Sequence, residues 1–526
     1  MAQAEARVIH SLSRKHITWA ALAGLIATHI ILATLLFDPK PFIGGDNAGY
    51  MILAESIGSG QGYRDLYLPG APRHAQYPPL YPTLLAIVRL FGGGLITFKI
   101  LSLVLTSASL VFIFLLARSR LDSVVALSVV APVALNPVLL YYSHWVLSEG
   151  LFVLLTLMAL WASERMTGSW RWLGIALLAA LLAYLTRAAG LPMLAALAVA
   201  LLWRRAWRRS GVVVGVILLV VGAWWIWGKL AASESAQMYS SNLLLVDPYR
   251  PDLGYVGPGD LVARVVNNVR LYSIEVLPES LAGVAPGGGV SLVAILAGLL
   301  LAALALVAWV RDVRKVRPLE IFTLFYAGLI FLWPQVWTDR RFLLPLLPVL
   351  ILYGAAGIVW CFDVLRARRP LWALPVLGVL LALLTVPDHV RGIGFNQRCQ
   401  GFYRQGDDLA CYPPPWRAFV QAAYWVGANT AQDAIVVSRK PRLLYYFSGR
   451  RGDVYPFTAE DGEVLAFLDE MGAEYVVVGA ISATEYRYLI PAIRSMPERF
   501  ELVHTIGEGQ AAAYVLTYRR SVSQGS

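Results

Sequence analysis

Eleven hydrophobic runs, bounded on alternate sides by clusters of arginine, leave this chain few ways to fold. They lie near residues 17–37, 95–117, 123–141, 148–163, 172–186, 188–203, 211–228, 288–310, 319–336, 342–362 and 371–387. A bilayer core takes about 20 apolar residues per helix, so the runs predict a polytopic α-helical membrane protein of about 11 spans. The shorter ones predict tilted or re-entrant geometry. The basic clusters are Arg7/Arg14/Lys15, Arg118/Arg120, Arg165/Arg171, Arg204/Arg205/Arg208/Arg209, Arg311/Arg314/Lys315/Arg317 and Arg366/Arg368/Arg369. Short loops rich in Lys and Arg stay cytoplasmic, and all of these clusters fall on one side if the spans alternate. The N-terminus is therefore expected inside. Segment 38–94, loop 229–286 and the C-terminal tail are expected outside. The first run lacks a clear small-residue cleavage site and reads as an anchor, not a cleaved signal.

A hydrophobic content of 58% with only 15% charged residues excludes an ordinary soluble domain. The net charge of +11 does not point to nucleic acid. Its excess sits at the cytoplasmic ends of spans, where it sets topology and meets anionic lipid. Residues 1–387 are expected to form the transmembrane domain and 388–526 a soluble extracytoplasmic α/β domain. In the latter, helices are expected at 416–429, 441–447, 461–471 and 483–496. Strands are expected at 434–438, 474–479, 500–505 and 511–518. No glycine-rich phosphate loop follows these strands, so nucleotide binding has no support. Cys361 falls inside a span and reads as a packed apolar residue. Cys399 and Cys411 share the outward tail. They suit a disulfide in an oxidising compartment, with two free thiols or a metal pair as the alternatives. No His/Cys set with zinc spacing accompanies them.

Chemistry is expected in the outward parts. The first opens PKPFIGGDNAGY, and Asp46 to Ile57 reads as a helix with Asp46 as its N-cap, ended by Gly58, Gly60 and Gly62. Asp46 carries a second reading that can coexist with the first, since a partly desolvated carboxylate at a membrane surface suits a general base. The stretch QYPPLYP, Gln76 to Pro82, cannot be regular helix. Thr83 to Phe91 reads as a short apolar helix along the membrane surface. Glu149, in YYSHWVLSEGLF, stands at a span end, where an ionisable residue is a functional candidate; with Ser148 it could equally cap the helix. His144 reads first as a hydrogen-bonded interfacial residue. Arg187, in AYLTRAAGLP, lies on the side where arginine is disfavoured and calls for an anionic partner. That partner is either structural, Glu149 or Asp46, or a ligand phosphate, whose oxygens match the guanidinium fork. Arg340 and Arg341, in WTDRRFLLPLLP, pose the same question, with Asp339 available to neutralise one of them. Lys40, Arg64, Arg73 and His74 read as solvated. Tyr77, Tyr81, Tyr141, Tyr142, Trp145, Trp333 and Trp337 cluster at outward span ends. An interfacial belt explains most of them, and stacking on sugar rings is the alternative. Tyr50, Tyr77, Tyr81 and His144 are the candidates for lining an acceptor or sugar site.

Taken in order, GGDNAGY with Asp46, YPPLYP, SHWVLSE, LTRAAGL and DRRFLLPLLP resemble the large lipid-linked-sugar glycosyltransferases with the GT-C fold. The nearest likeness is to the bacterial protein-mannosyltransferase-like branch, which includes the aminoarabinose transferases of lipid A. The resemblance covers essentially residues 17–386. Many relatives carry two adjacent acids in the first loop, whereas here Asn47 follows Asp46. The resemblance implies a polyprenyl-phosphate-linked sugar as donor and a glycan, lipid or protein acceptor. It implies inverting transfer outside the membrane, in the cell envelope at a bacterial inner membrane. Asp46 would take the acceptor proton, and Arg187 with one of Arg340 and Arg341 would hold the lipid phosphate. A phosphate leaving group needs no general acid. No cofactor is implied, and a divalent metal, not obligatory for a monophosphate donor, has no ligand cluster to support it. Two other classes compete. A transporter or flippase for a lipid-linked sugar predicts broken helices paired in related halves, and no internal symmetry is evident. A non-enzymatic subunit that retains the fold would be separated by the effect of substituting Asp46.

Overall fold

A computed structural model of the protein describes residues 2–231, 243–283, 289–365 and 373–520. The basic cluster Arg366/Arg368/Arg369 and part of loop 229–286, Tyr239 included, lie outside the described residues. The chain forms two compact units. One comprises Met1–Asp38, Ile96–Trp225 and Leu261–Gln397; the other comprises Pro39–Leu95, Ile226–Asp260 and Arg398–Ser526.

The first unit is helical. Among the described residues, 6 helices are long and apolar enough to cross a membrane: His16–Leu35, Leu95–Arg118, Trp207–Ala231, Leu292–Val313, Leu347–Val364 and Leu374–Arg404. Five further apolar helices cover the remaining runs: Ser123–Ala134, Glu149–Ser163, Trp170–Thr186, Ala188–Trp203 and Pro318–Leu332. At about 1.5 Å per residue these are shorter than a bilayer core of about 30 Å. The run expected at 123–141 is in fact broken. Asn136 accepts from the amides of Val138 and Leu139 and starts a new short helix, Pro137–Tyr142, with Pro137 in its first turn. Pro387 does not end the last run, because it stands in the first turn of helix Val386–Arg404, where a missing N–H removes no helical bond. At one end of the unit Arg120 pairs with Glu164 and Glu320, both at 2.6 Å, and Arg317 reaches Glu164 at 3.6 Å. Residues from separate basic loops thus share one end of the bundle.

The second unit is a four-stranded sheet with helices on both faces. The strands are β1 (Val436–Ser438), β2 (Tyr475–Gly479), β3 (Phe500–Ile506) and β4 (Ala513–Tyr518). Their order is β1-β2-β4-β3, with β1 and β2 parallel and the other pairs antiparallel. Side chains alternate across β2. Val477 faces a core with Phe419, Ala422, Leu443 and Val515, whereas Val476 and Val478 face one with Val464, Leu468 and Tyr488. Burial on both faces explains an unbroken valine run where a half-exposed strand would alternate. Ala48, from helix Gly45–Gly58 of the first loop, is part of the Phe419 core. Past β2 the chain turns around Glu485, whose buried carboxylate accepts from the amides of Gly479, Ile481 and Ser482. Cys399 and Cys411 are joined by a disulfide, and Cys361 is free.

Candidate active site

Asp46 lies in the first turn of helix Gly45–Gly58 but is not its cap, which corrects the sequence expectation. The cap is Gly44, which makes no side-chain cap bond. The Phe42 ring packs so closely on Gly44 that a Cβ there would clash. The helix therefore begins two residues earlier than a side-chain cap at Asp46 would allow. The Asp46 carboxylate instead accepts a hydrogen bond from the Tyr77 hydroxyl at 2.7 Å. An acid in a first turn also suits the positive end of the helix dipole. Asn47 is fully buried, and its amide nitrogen donates to the Phe42 carbonyl at 3.2 Å. A carboxylate could not donate, which accounts for an amide rather than a second acid beside Asp46.

Tyr77 is held from its backbone as well. Its amide donates to His74 Nε2 at 2.7 Å. An amide can only donate, so Nε2 is the acceptor and Nδ1 carries the proton that faces Asp65 at 2.9 Å. His74 is buried, not solvated as its sequence context suggested. Burial lowers its pKa against the opposing pull of Asp65. The Tyr50 ring lies 4.8 Å from that of Tyr77 and 5.0 Å from that of Tyr81. Tyr81 is 0% exposed. These tyrosines form a closed cluster, and Tyr81 packs inside it instead of lining an open sugar surface. Helix Leu80–Leu90 begins before Pro82, which its first turn tolerates.

In the helical unit, Glu149 opens helix Glu149–Ser163 and is 3% exposed. Its Oε1 pairs with Arg187 at 2.6 Å and with Arg341 at 3.7 Å, and its buried Oε2 has no hydrogen-bond partner. Arg187 reaches this point because its helix, Trp170–Thr186, ends at it. The backbone is extended at Arg187, and a short turn follows before Leu191–Trp203. Gly190 permits the break, since a Cβ there would sit 2.6 Å from the Tyr184 amide nitrogen. Both guanidinium groups approach the Phe342 ring, at 6.0 and 5.1 Å. Arg340 turns elsewhere and pairs with Glu279 at 3.7 Å, while Asp339 accepts from Tyr142 at 2.9 Å. Two of the three candidate arginines thus converge on one buried carboxylate. His144 is buried among Trp145, Tyr141 and Phe37. Among the described residues, no three His, Cys, Asp or Glu side chains gather as a metal site.

Sequence reading did not single out Arg442, on helix Pro441–Ser448. It donates to the Tyr77 hydroxyl oxygen and to Gln76 Oε1, each at 2.5 Å. Its guanidinium also lies over the Tyr67 and Tyr77 rings. Gly49 makes room for it, since a Cβ there would be 3.2 Å from Arg442 Cδ and 3.3 Å from the Tyr77 ring.

Broken apolar helices carrying paired arginines, with an acid in the first loop and a small α/β sheet, define a polytopic membrane protein with the GT-C fold of membrane glycosyltransferases. Residues 76–227 match the family model of dolichyl-phosphate-mannose-protein mannosyltransferases. ArnT from Cupriavidus metallidurans in the apo state is similar with a TM-score of 0.56 at 12% identity, over 97% of this chain and 100% of that one. The same protein bound to undecaprenyl phosphate gives 0.51 at 12% identity, over 96% and 99%. The oligosaccharyltransferase AglB from Archaeoglobus fulgidus, in complex with an inhibitory peptide and a dolichol-phosphate, gives 0.54 at 14% identity, over 96% and 75%. No curated protein matches by sequence.

Proposed function

We propose that the protein is a membrane glycosyltransferase that moves a sugar from a polyprenyl-phosphate donor to a hydroxyl on a glycan, lipid or protein acceptor, with inversion. The strongest support is Asp46, an acid in the first turn of helix Gly45–Gly58 whose carboxylate accepts a hydrogen bond from Tyr77. Structures sharing the fold hold undecaprenyl phosphate and dolichol-phosphate. Asp46 takes the proton of the acceptor hydroxyl as its oxygen attacks the anomeric carbon. The bond from that carbon to the phosphate oxygen breaks, and the electron pair leaves with the polyprenyl phosphate. Arg187 and Arg341 stabilise the phosphate charge. Glu149 serves as the counter-ion that positions them, which fits its burial and double pairing better than a role as base. Arg340, paired with Glu279, is a weaker candidate for the phosphate. The reading places the chain in a bacterial inner membrane, N-terminus inside and sheet unit outside. The test is incubation of purified protein with labelled polyprenyl-phosphate sugars and envelope acceptors. Label should pass to an acceptor with the parent protein and not with Asp46→Asn. Equal transfer by both removes the reading.

A further inference from the structure

We infer that Arg442 is a positioning residue that aims the Tyr77 hydroxyl at Asp46; the inference rests on the reading of Asp46 as the base. The argument begins with hydrogen-bond capacity. A tyrosine hydroxyl has one proton and can accept, whereas arginine only donates. Arg442 Nη1 lies 2.5 Å from the Tyr77 oxygen, so that oxygen must accept from it. The single phenolic proton is then directed to Asp46 Oδ1, 2.7 Å away. Polarisation by a cation strengthens the second bond of such a chain. Arg442 also lies over the Tyr67 ring, at 5.3 Å. Among the described residues it makes no ion pair with a carboxylate, although the charges of Asp65 and Asp453 act on it from farther away. Its other hydrogen bond goes to Gln76, the neighbour of Tyr77, which sets the guanidinium plane against the phenol. The titratable side chains around the group include Asp46, Asp65, His74, Asp453, Tyr63, Tyr67 and Tyr77. The competing possibility is a staple, in which Arg442 only ties helix Pro441–Ser448 to the first loop.

A staple affects stability, whereas an aimed hydrogen bond changes how readily Asp46 holds a proton. The experiment is an infrared titration of the full-length protein, with the Asp46 carboxyl band identified by subtracting Asp46→Asn. A hydrogen bond to a carboxylate favours its ionised form. The band should therefore titrate about one pH unit higher in Tyr77→Phe, and higher in Arg442→Met by a comparable amount. The double variant should shift no further than Tyr77→Phe alone, because both act through one proton. Arg442→Lys keeps a donor at the same place and should restore part of the shift, even if Arg442→Met folds poorly. An unmoved band in Arg442→Met and Arg442→Lys, beside a moved one in Tyr77→Phe, overturns the inference, as do additive shifts. Transfer assays on the same variants with labelled undecaprenyl-phosphate sugars separate this result from the broader reading. If Asp46→Asn abolishes transfer while Arg442→Met leaves the band in place, the relay fails and the transferase stands. If the band moves while Asp46→Asn transfers fully, the relay stands and the base assignment fails.

Discussion

A carboxylate that is not a cap can be replaced without undoing its helix, and this makes Asp46 testable. Asparagine at 46 still offers an oxygen to the Tyr77 hydroxyl, and Gly44 still begins the helix. Asp46→Asn is expected to lower sugar transfer by roughly 10²–10⁴-fold, with a thermal midpoint close to that of the parent. A large loss of stability in a melt would return Asp46 to a structural role. The neighbouring position behaves oppositely. Asn47→Asp places two adjacent acids in the first loop but removes the donor to Phe42 from a fully buried site. It should destabilise the protein by about 1–3 kcal/mol, measured by denaturant unfolding in detergent. An unchanged midpoint would show that the amide is dispensable. Asp46 was legible because a lone acid stood out in an outward glycine-rich segment. Its status as a non-cap was not, because that depends on Phe42 covering Gly44. Arg442 was illegible for a different reason: it lies 365 residues from Tyr77, in a helix whose sequence reads as ordinary packing.

Two breaks in regular structure carry the predictions at the level of elements. The interruption at Arg187 relies on Gly190. Gly190→Ala places a methyl 2.6 Å from the Tyr184 backbone, and overpacking of this kind destabilises by about 1–3 kcal/mol. Because Arg187 sits at the same break, binding of labelled polyprenyl phosphate should weaken too; intact binding would uncouple the break from the site. The turn after β2 is built on Glu485. Burial raises its pKa to about 7 against three backbone donors that favour the charged form. The folded state then holds a proton that the unfolded chain has lost, so stability falls as pH rises from the ordinary carboxylate range through about 7. Glutamine does not titrate. The unfolding free energy of Glu485→Gln relative to the parent should therefore climb across that interval, by up to about 3 kcal/mol. A difference that falls with pH would show that the three amide bonds outweigh burial. The strands themselves were readable from β-branched runs, and the helices around them from apolar periodicity. The π-helical turn at Glu485–Leu489 and the break at Asn136 were not, since each is set by tertiary partners: the β2 turn for one and Ser280 for the other.

For the whole molecule, the readable quantity was the number of apolar runs, because each must be helical to satisfy its backbone in lipid. The run lengths hid which helices would be short, since flanking residues of similar hydropathy belong to turns and short helices packed inside the unit. Orientation can be checked directly. A cysteine probe placed between Gly401 and Asp407 should react with a membrane-impermeant reagent added to intact cells. One between Arg204 and Ser210 should react only after permeabilisation; reversed labelling would invert the topology. The sheet unit also has a consequence for how the chain is made. Ala48 completes the core around Phe419, and Tyr77 and Arg442 are 365 residues apart. At about 5–20 residues per second, the first loop waits roughly 20–70 s after synthesis before its partners exist. Throughout that interval Ala48 lacks its Phe419 partner and Tyr77 lacks Arg442, so that part of the nascent loop is open to proteases and chaperones. The first loop can therefore reach its native contacts only after the sheet unit has been synthesised.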